Sequence, residues 1–367
     1  MVYRENNEEI VAACGMVIDN EYILWTSWED GSLYKLFLKD NHIEIVKGMF
    51  GIGCKGKTFS CMLKNNGKIY LISLFDGYEI VEYDMISNQL RLLYQQTQKG
   101  IYIFNAFLIN GNIYIFPSQL DSFVCIYSIS NNNVDYIKWE KLFSDKEIDL
   151  KGKLLGSMDC VGQALCGTIL GTPYLFEIQT KPHIKCEMQI LKNEYEMMSI
   201  NAYGSEKYIT LMNDDKLICI NSDGRIEEFG LFHEETTREG IPFNCTLVYK
   251  DKIFLFPCIK NDRIHVIDRM TGKYNTLEYP DKFYRKADKC RLFWLPIVFE
   301  NKAYLLPHTG SGLLVLDMYS CRIEYLMGWR KELKLFLDTI CCSDVWGEKN
   351  EIIGAGSAIY KFIEQSI

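Results

Sequence analysis

Five histidines, fourteen cysteines and two glycine-rich runs are the residues of this chain best suited to chemistry. The histidines are His42, His183, His233, His265 and His308, and no two of them have the H-E-x-x-H spacing that holds zinc on one helix face. His42, His183 and His265 stand in or beside strand-like runs and read as solvated or core-edge imidazoles. His308 differs. It falls in Leu306-Pro307-His308-Thr309-Gly310-Ser311-Gly312, which reads as a flexible loop. There it could act as a general acid or base if Asp121 or Asp262 came within hydrogen-bond reach. The cysteines contain no C-x-x-C pair, so zinc-ribbon and thioredoxin chemistry lack their spacing. Gly51-Ile52-Gly53-Cys54-Lys55-Gly56-Lys57 runs into a strand pattern, so no helix N-terminus stands ready for a phosphate. Nucleophile-elbow, Walker and dinucleotide motifs are absent from the sequence. No metal or cofactor is expected.

The elements that must position these residues follow from a repeat. A small residue recurs at Cys14, Cys61, Ala106, Cys160, Ala202, Cys245 and Cys342, with Pro296 as the odd member, at intervals of 42 to 54 residues. A polar or small residue usually precedes it, as in Ser60, Asn105, Asp159, Asn201 and Asn244. Each period holds four strand-sized runs between Asn/Asp/Gly turns. In residues 58–94 the turns are Asn65-Asn66-Gly67, Phe75-Asp76-Gly77 and Ile86-Ser87-Asn88. Repeats of this length mark propellers or arrays. The expected fold is therefore all-β: a β-propeller of four-stranded antiparallel blades, with eight blades first and seven as the runner-up. Residues 1–367 would form one domain, closed by residues 2–5 completing the C-terminal blade. Cys or Ala would sit where inner strands crowd together, and the preceding polar side chain would hydrogen-bond to the next blade.

Two units carry a family resemblance. NGKIYLISL followed by VEYDMISNQLRLL, within residues 66–93, is similar to the kelch pattern of a strand, a variable loop and a closing strand pair. Residues 251–277 resemble it too, and their IDRMTGKYNTL resembles the TGK turn of quinoprotein-type propeller repeats. Where kelch repeats carry a double glycine, this chain has Ser73-Leu74, Phe116-Pro117, Phe256-Pro257 and Leu306-Pro307. The resemblance implies a kelch-like repeat propeller of no particular subfamily.

In an up-and-down blade the loops between second and third strands emerge at the same end as the blade-to-blade links. That end would gather Phe75, Asp76, Gln119, Asp121, Asp262, Arg263, Tyr284, Arg285 and His308, and loops on a rigid scaffold are where binding residues usually sit. Residues 281–291 are locally basic with two aromatics, whereas residues 233–239 are acidic. Net charge is −8, which argues against a nucleic-acid partner. No apolar run approaches membrane-helix length, and the N-terminus lacks a signal-peptide pattern. The expectation is a cytoplasmic, non-enzymatic protein that binds a protein or peptide on the loop-rich face. The alternatives are an enzyme acting on a carbohydrate or modified peptide at the channel mouth, with a small polar ligand, and a structural assembly subunit.

Overall fold

The turns set the strands. Asn66 and Gly67 both have positive φ (46° and 76°), as do Asn110 and Gly111 (51° and 76°). This is the two-residue hairpin geometry that Asn-Gly adopts at low steric cost, and its twist matches the strands on either side. It joins Phe59–Asn65 to Lys68–Ser73, and the distal end of Gln89–Ile109 leads through it into Asn112–Pro117. The computed structural model describes residues 3–4, 9–10, 13–19, 21–27, 32–40, 42–46, 59–143, 148–162, 164–181, 184–230, 238–285, 291–293 and 295–329. The described residues fall into two compact bodies, one within Met1–Gly111 and Tyr279–Ile367, the other within Asn112–Glu278.

In the first body, one antiparallel sheet is Ala13–Ile18, Tyr22–Ser27, Leu33–Phe37 and Ile43–Val46. A second is Phe59–Asn65, Lys68–Ser73, Phe75–Asp84 and the first part of Gln89–Ile109. The seventh in chain order is Ile297–Phe299, Lys302–Leu305, Gly312–Asp317 and Arg322–Trp329. In the second body, Phe123–Ser128 pairs with Asn112–Pro117 and Asn133–Lys138. The fourth sheet runs from Leu155–Val161 to Lys185–Ile190, the fifth from Met197–Tyr203 to Ile226–Phe229, and the sixth from Phe243–Tyr249 to Tyr274–Leu277. Chain order thus gives seven runs of four strands among the described residues.

Both faces of the inner strands are apolar because sheets stack on one another. Phe59, Leu71 and Val81 of the second sheet pack with Leu24 and Leu33 of the first. Cys166 and Leu175 of the fourth pack with Ile200, Ile209 and Ile218 of the fifth. Each such side chain stabilises the fold by about 1.5–3 kcal/mol relative to exposure.

The same packing corrects the blade count from eight to seven. Tyr304, Leu306, Leu313 and Val315 of the seventh sheet share one core with Ile23, Trp25, Tyr34 and Leu36 of the first. The seventh and first sheets are therefore direct neighbours, with no further blade between these faces. The expected eighth unit, residues 339–364 with Cys342, lies outside the described residues. So do residues 51–57, His183, His233 and residues 286–290.

The repeated small residue lies on the expected strand, but only Ala106 and Cys245 are buried there, whereas Cys61 and Ala202 are half-buried and Cys160 is exposed, so crowding does not account for all of them. Cys14, Cys61, Ala106, Cys160, Ala202 and Cys245 all lie on the first strand of their sheet. The polar residue before it ties adjacent sheets. Asp159 Oδ2 accepts from the Ala202 N–H at 2.8 Å, and the Ser60 hydroxyl donates to the Ile103 carbonyl. The pairing register shifts between Phe59 and Cys61 and between Phe243 and Cys245, so Ser60 and Asn244 occupy β-bulges. A bulge leaves its extra residue out of the ladder and re-aims its side chain.

Candidate functional site

Among the described residues, loops joining a second strand to a third are tied by their backbones to links that enter or leave a sheet. The Leu155 N–H donates to Ser118 at 2.7 Å, Met212 to Glu196 at 2.7 Å, and Cys258 to Pro242 at 2.9 Å. Within each body the loops singled out by sequence therefore lie beside the connecting links.

In the first body this pairing is densest around the seventh sheet. The N–H groups of His308, Thr309 and Gly310 converge on the Leu292 carbonyl at 2.9, 3.2 and 3.0 Å. The Thr309 hydroxyl donates to the Arg291 carbonyl at 2.8 Å. The preceding link crosses over this loop. The Ser311 N–H donates to the Tyr284 carbonyl at 2.8 Å, the Tyr284 N–H donates to Ser311 Oγ at 2.9 Å, and Arg285 forms a β-bridge with Gly310. Beneath lies an aromatic group: Phe283 is 4.7 Å from Tyr279 and stacks on Phe293 at 5.5 Å between ring centroids.

Tyr284, Arg285 and His308 are thus brought together, but in different environments. Tyr284 is 61% exposed, Arg285 is half-buried, and His308 is buried. The expectation of an open flexible loop at His308 is corrected, because three converging backbone donors and a crossing segment close it over. Burial, and behind it the Arg291 guanidinium, pushes the His308 imidazole down to about 3. The ring is neutral at physiological pH. Phe75 and Asp76 open the strand Phe75–Asp84.

In the second body, Gln119 forms a β-bridge with Leu154 and Asp121 is exposed. Asp262 is ion-paired with Arg238, and Arg263 Nη1 lies 2.6 Å from Glu278 Oε1. Beside them Lys260 Nζ meets Asp215 at 2.5 Å, tying the fifth sheet's loop to the sixth's. These charged groups neutralise one another, so the site's charges are arranged to hold loops in place.

Among the histidines, His265 is fully buried between Phe243 and Tyr274, as a core residue. Among the described residues, no group of three His, Cys, Asp or Glu side chains could hold a metal ion. Sequence reasoning missed Ser311, Leu292 and Phe283, which fix Tyr284 in place. The one available signal was Ser311 between two glycines, a side-chain oxygen in a stretch that bends easily.

No family model and no curated protein matches this sequence. Solved structures do resemble it. A streptogramin B lyase shares 12% identity at TM-score 0.62, over 84% of this chain and 96% of its own. YCF48 bound to D1 peptide shares 9% identity at TM-score 0.60, over 85% and 94%. The β-propeller domain of Cps50 (Swd1) from Myceliophteria thermophila shares 11% identity at TM-score 0.57, over 87% and 98%. These likenesses show the fold, a β-propeller, and its described blades are the seven four-stranded sheets.

Proposed function

We propose that this propeller is a non-enzymatic binding protein that takes a peptide or protein segment on the loop-rich end of its blades. The observation that carries the reading is Tyr284. A large aromatic side chain stands 61% exposed on a backbone whose N–H and carbonyl are both hydrogen-bonded to Ser311. An exposed aromatic held rigidly pays little ordering entropy on binding, and aromatics and arginines dominate interface energetics. Arg285 supplies a cation beside it. Within the first body Phe75 and Asp76 are proposed for the same loop end, and Gln119, Asp121, Asp262 and Arg263 are proposed for the loop end of the second body. The neutral, buried His308 is poorly suited to proton transfer near pH 7, which favours binding over catalysis. Among propellers of similar fold, YCF48 is bound to a peptide.

The reading treats residues 1–367 as one kelch-like propeller domain in the cytoplasm. Free thiols at nine of the described cysteines suit a reducing compartment. Tyr3–Arg4 pairs with the first sheet's outer strand and not with the C-terminal blade that residues 2–5 were expected to complete, while Glu9–Ile10 pairs with the seventh sheet's last strand.

The experiment places a photo-crosslinking amino acid at position 284 of the full chain in its native cell, with position 86 as the control. Discrete adducts at 284 are expected, and Tyr284→Ala or Arg285→Ala should cut partner recovery about tenfold, the loss typical of a hot-spot side chain. Identical partner recovery from wild type and both variants would overturn the proposal.

A further inference from the structure

The second body holds a cavity of about 400 Å³ between the fifth and sixth sheets. It is lined by residues at the turns that join first to second and third to fourth strands, together with Tyr208, Cys219, Glu227 and Phe229 from the strands themselves. In an antiparallel meander these turns lie at the opposite end of each sheet from the loops described above, so this is a separate site.

Its chemistry is specific. The buried Tyr208 hydroxyl donates to Glu206 Oε2 at 2.8 Å, and Glu206 is ion-paired with Arg269 from the sixth sheet, 63 residues away. The Arg269 guanidinium lies over the rings of Tyr203 and Tyr208, 5.4 and 6.0 Å from their centroids, and donates to the Lys250 carbonyl at 3.2 Å. The chain thus seats one of its own arginine heads against an aromatic face and a carboxylate, a favourable geometry for a cation.

The same cavity has two more carboxylates, Glu227 and Asp251, and an apolar wall of Phe229 and Met270. Glu227 takes a hydrogen bond from the neutral Asn221 amide at 2.7 Å and lies within electrostatic reach of Arg225. Met270 is 86% exposed at the rim. The lining also carries the cations Lys250 and Arg269, so its three carboxylates, Glu206, Glu227 and Asp251, outnumber its cations by one.

We propose that this cavity binds an alkyl cation, a guanidinium or ammonium on a short methylene stem, with the head on Glu227 and Asp251 and the stem along Phe229 and Met270. Such a group is carried by arginine and lysine side chains of peptides and by free amines. The volume falls within the range of small-ligand pockets, and desolvated methylenes against Phe229 and Met270 add to the charge pairing.

The test titrates four probes into full-length protein and follows the Met270 methyl resonance, assigned with Met270→Leu. The probes are agmatine, a blocked Gly-Arg-Gly peptide, its citrulline counterpart and a blocked Gly-Glu-Gly peptide. Saturable shifts are expected with the cationic probes and none with citrulline or glutamate. Saturation by the arginine peptide assigns a polypeptide source; saturation by agmatine alone assigns a free amine. Glu227→Gln with Asp251→Asn should weaken the response at least tenfold, and both sites are exposed, so a melting curve confirms folding. Tyr284→Ala should leave the response unchanged, which separates this site from the peptide-binding end. Equal response to citrulline, no saturable response to either cation, or no loss in the double variant overturns the proposal.

Discussion

The Asn201 side-chain oxygen accepts a hydrogen bond from the Thr246 backbone N–H at 2.9 Å and lies 3.3 Å from the Thr246 hydroxyl, across 45 residues of chain. One inner strand thereby satisfies a donor on the next. Thr246 is buried at 1% exposure, so its N–H has no easy recourse to water if the acceptor is lost. Asn201→Ala should lower stability by about 1–3 kcal/mol, the cost of leaving a buried donor unsatisfied. Asn201→Asp keeps the acceptor and should lose less. Urea denaturation with an unchanged m-value is the measurement; equal midpoints for Asn201→Ala and wild type would show that the bond carries no stability.

Asp159 makes the same link one repeat earlier, and there the charge is a liability. Burial raises its carboxyl above the usual range, while the Ala202 and Cys160 N–H groups pull in the other direction without prevailing. The folded state therefore binds a proton more readily than the unfolded chain, whose carboxyl titrates near about 3.9. Stability from this group is fullest below that value and falls as pH rises through the folded pKa. Asp159→Asn retains an acceptor and removes the ionisation. The variant should match or exceed wild type by up to about 1 kcal/mol at neutral pH, and the advantage should vanish toward pH ~3. A clear loss at pH 7, constant with pH, would mean that the charge itself stabilises.

These two residues also mark how far the sequence could be read. A small residue preceded by a polar one could be seen at Ser60-Cys61, Asp159-Cys160 and Asn201-Ala202, because the polar side chain bonds to the next sheet from the same position of each first strand. Asn66-Gly67 announced its hairpin for a local reason, the positive φ of both residues. The blade count was not legible. It depends on Tyr304 and Leu306 meeting Trp25 and Leu36, a contact between chain ends that no periodicity encodes. His308 misled for a related reason: Pro307, Gly310 and Gly312 read as flexible, yet the Leu292 carbonyl and Tyr284 backbone immobilise the loop from 16 to 27 residues upstream. The cavity at Arg269 and Glu206 went unseen because its members come from strands and turns of two sheets, far apart in the chain.

Glu228 offers an acid-side test. Lys192, and after it the Tyr195 hydroxyl, hold its carboxyl down at about 2, with Lys216 3.7 Å from the other oxygen. The folded pKa lies below the unfolded one, so the stabilisation is present above about pH 4.3 and is lost as pH falls toward the folded value. Because the side chain is 31% exposed, solvent screens the pairing. Glu228→Gln should cost under about 1 kcal/mol at pH 7. Wild type and variant should converge near pH 2. Thermal melts at pH 7, 4 and 2.5 read this out, and a gap that widens on acidification would contradict it.

Gly310 sits where a methyl group has no room. A Cβ there would lie 2.8 Å from two ring carbons of Phe283 and 3.2 Å from the Leu292 carbonyl oxygen. The Phe283 ring is hemmed in by its stacking on Phe293 and its contact with Tyr279, so it cannot simply swing aside. Gly310→Ala should cost about 1–3 kcal/mol, as overpacking does. Adding Phe283→Leu should return part of that loss, since the smaller side chain vacates the space. The link that presents Tyr284 rests on this contact, so Gly310→Ala should also cut crosslinking at position 284 several-fold while leaving the Met270 methyl response to agmatine intact. Full stability and full crosslinking in Gly310→Ala would show that the loop repacks freely, and that the rigid presentation of Tyr284 is not what a partner recognises.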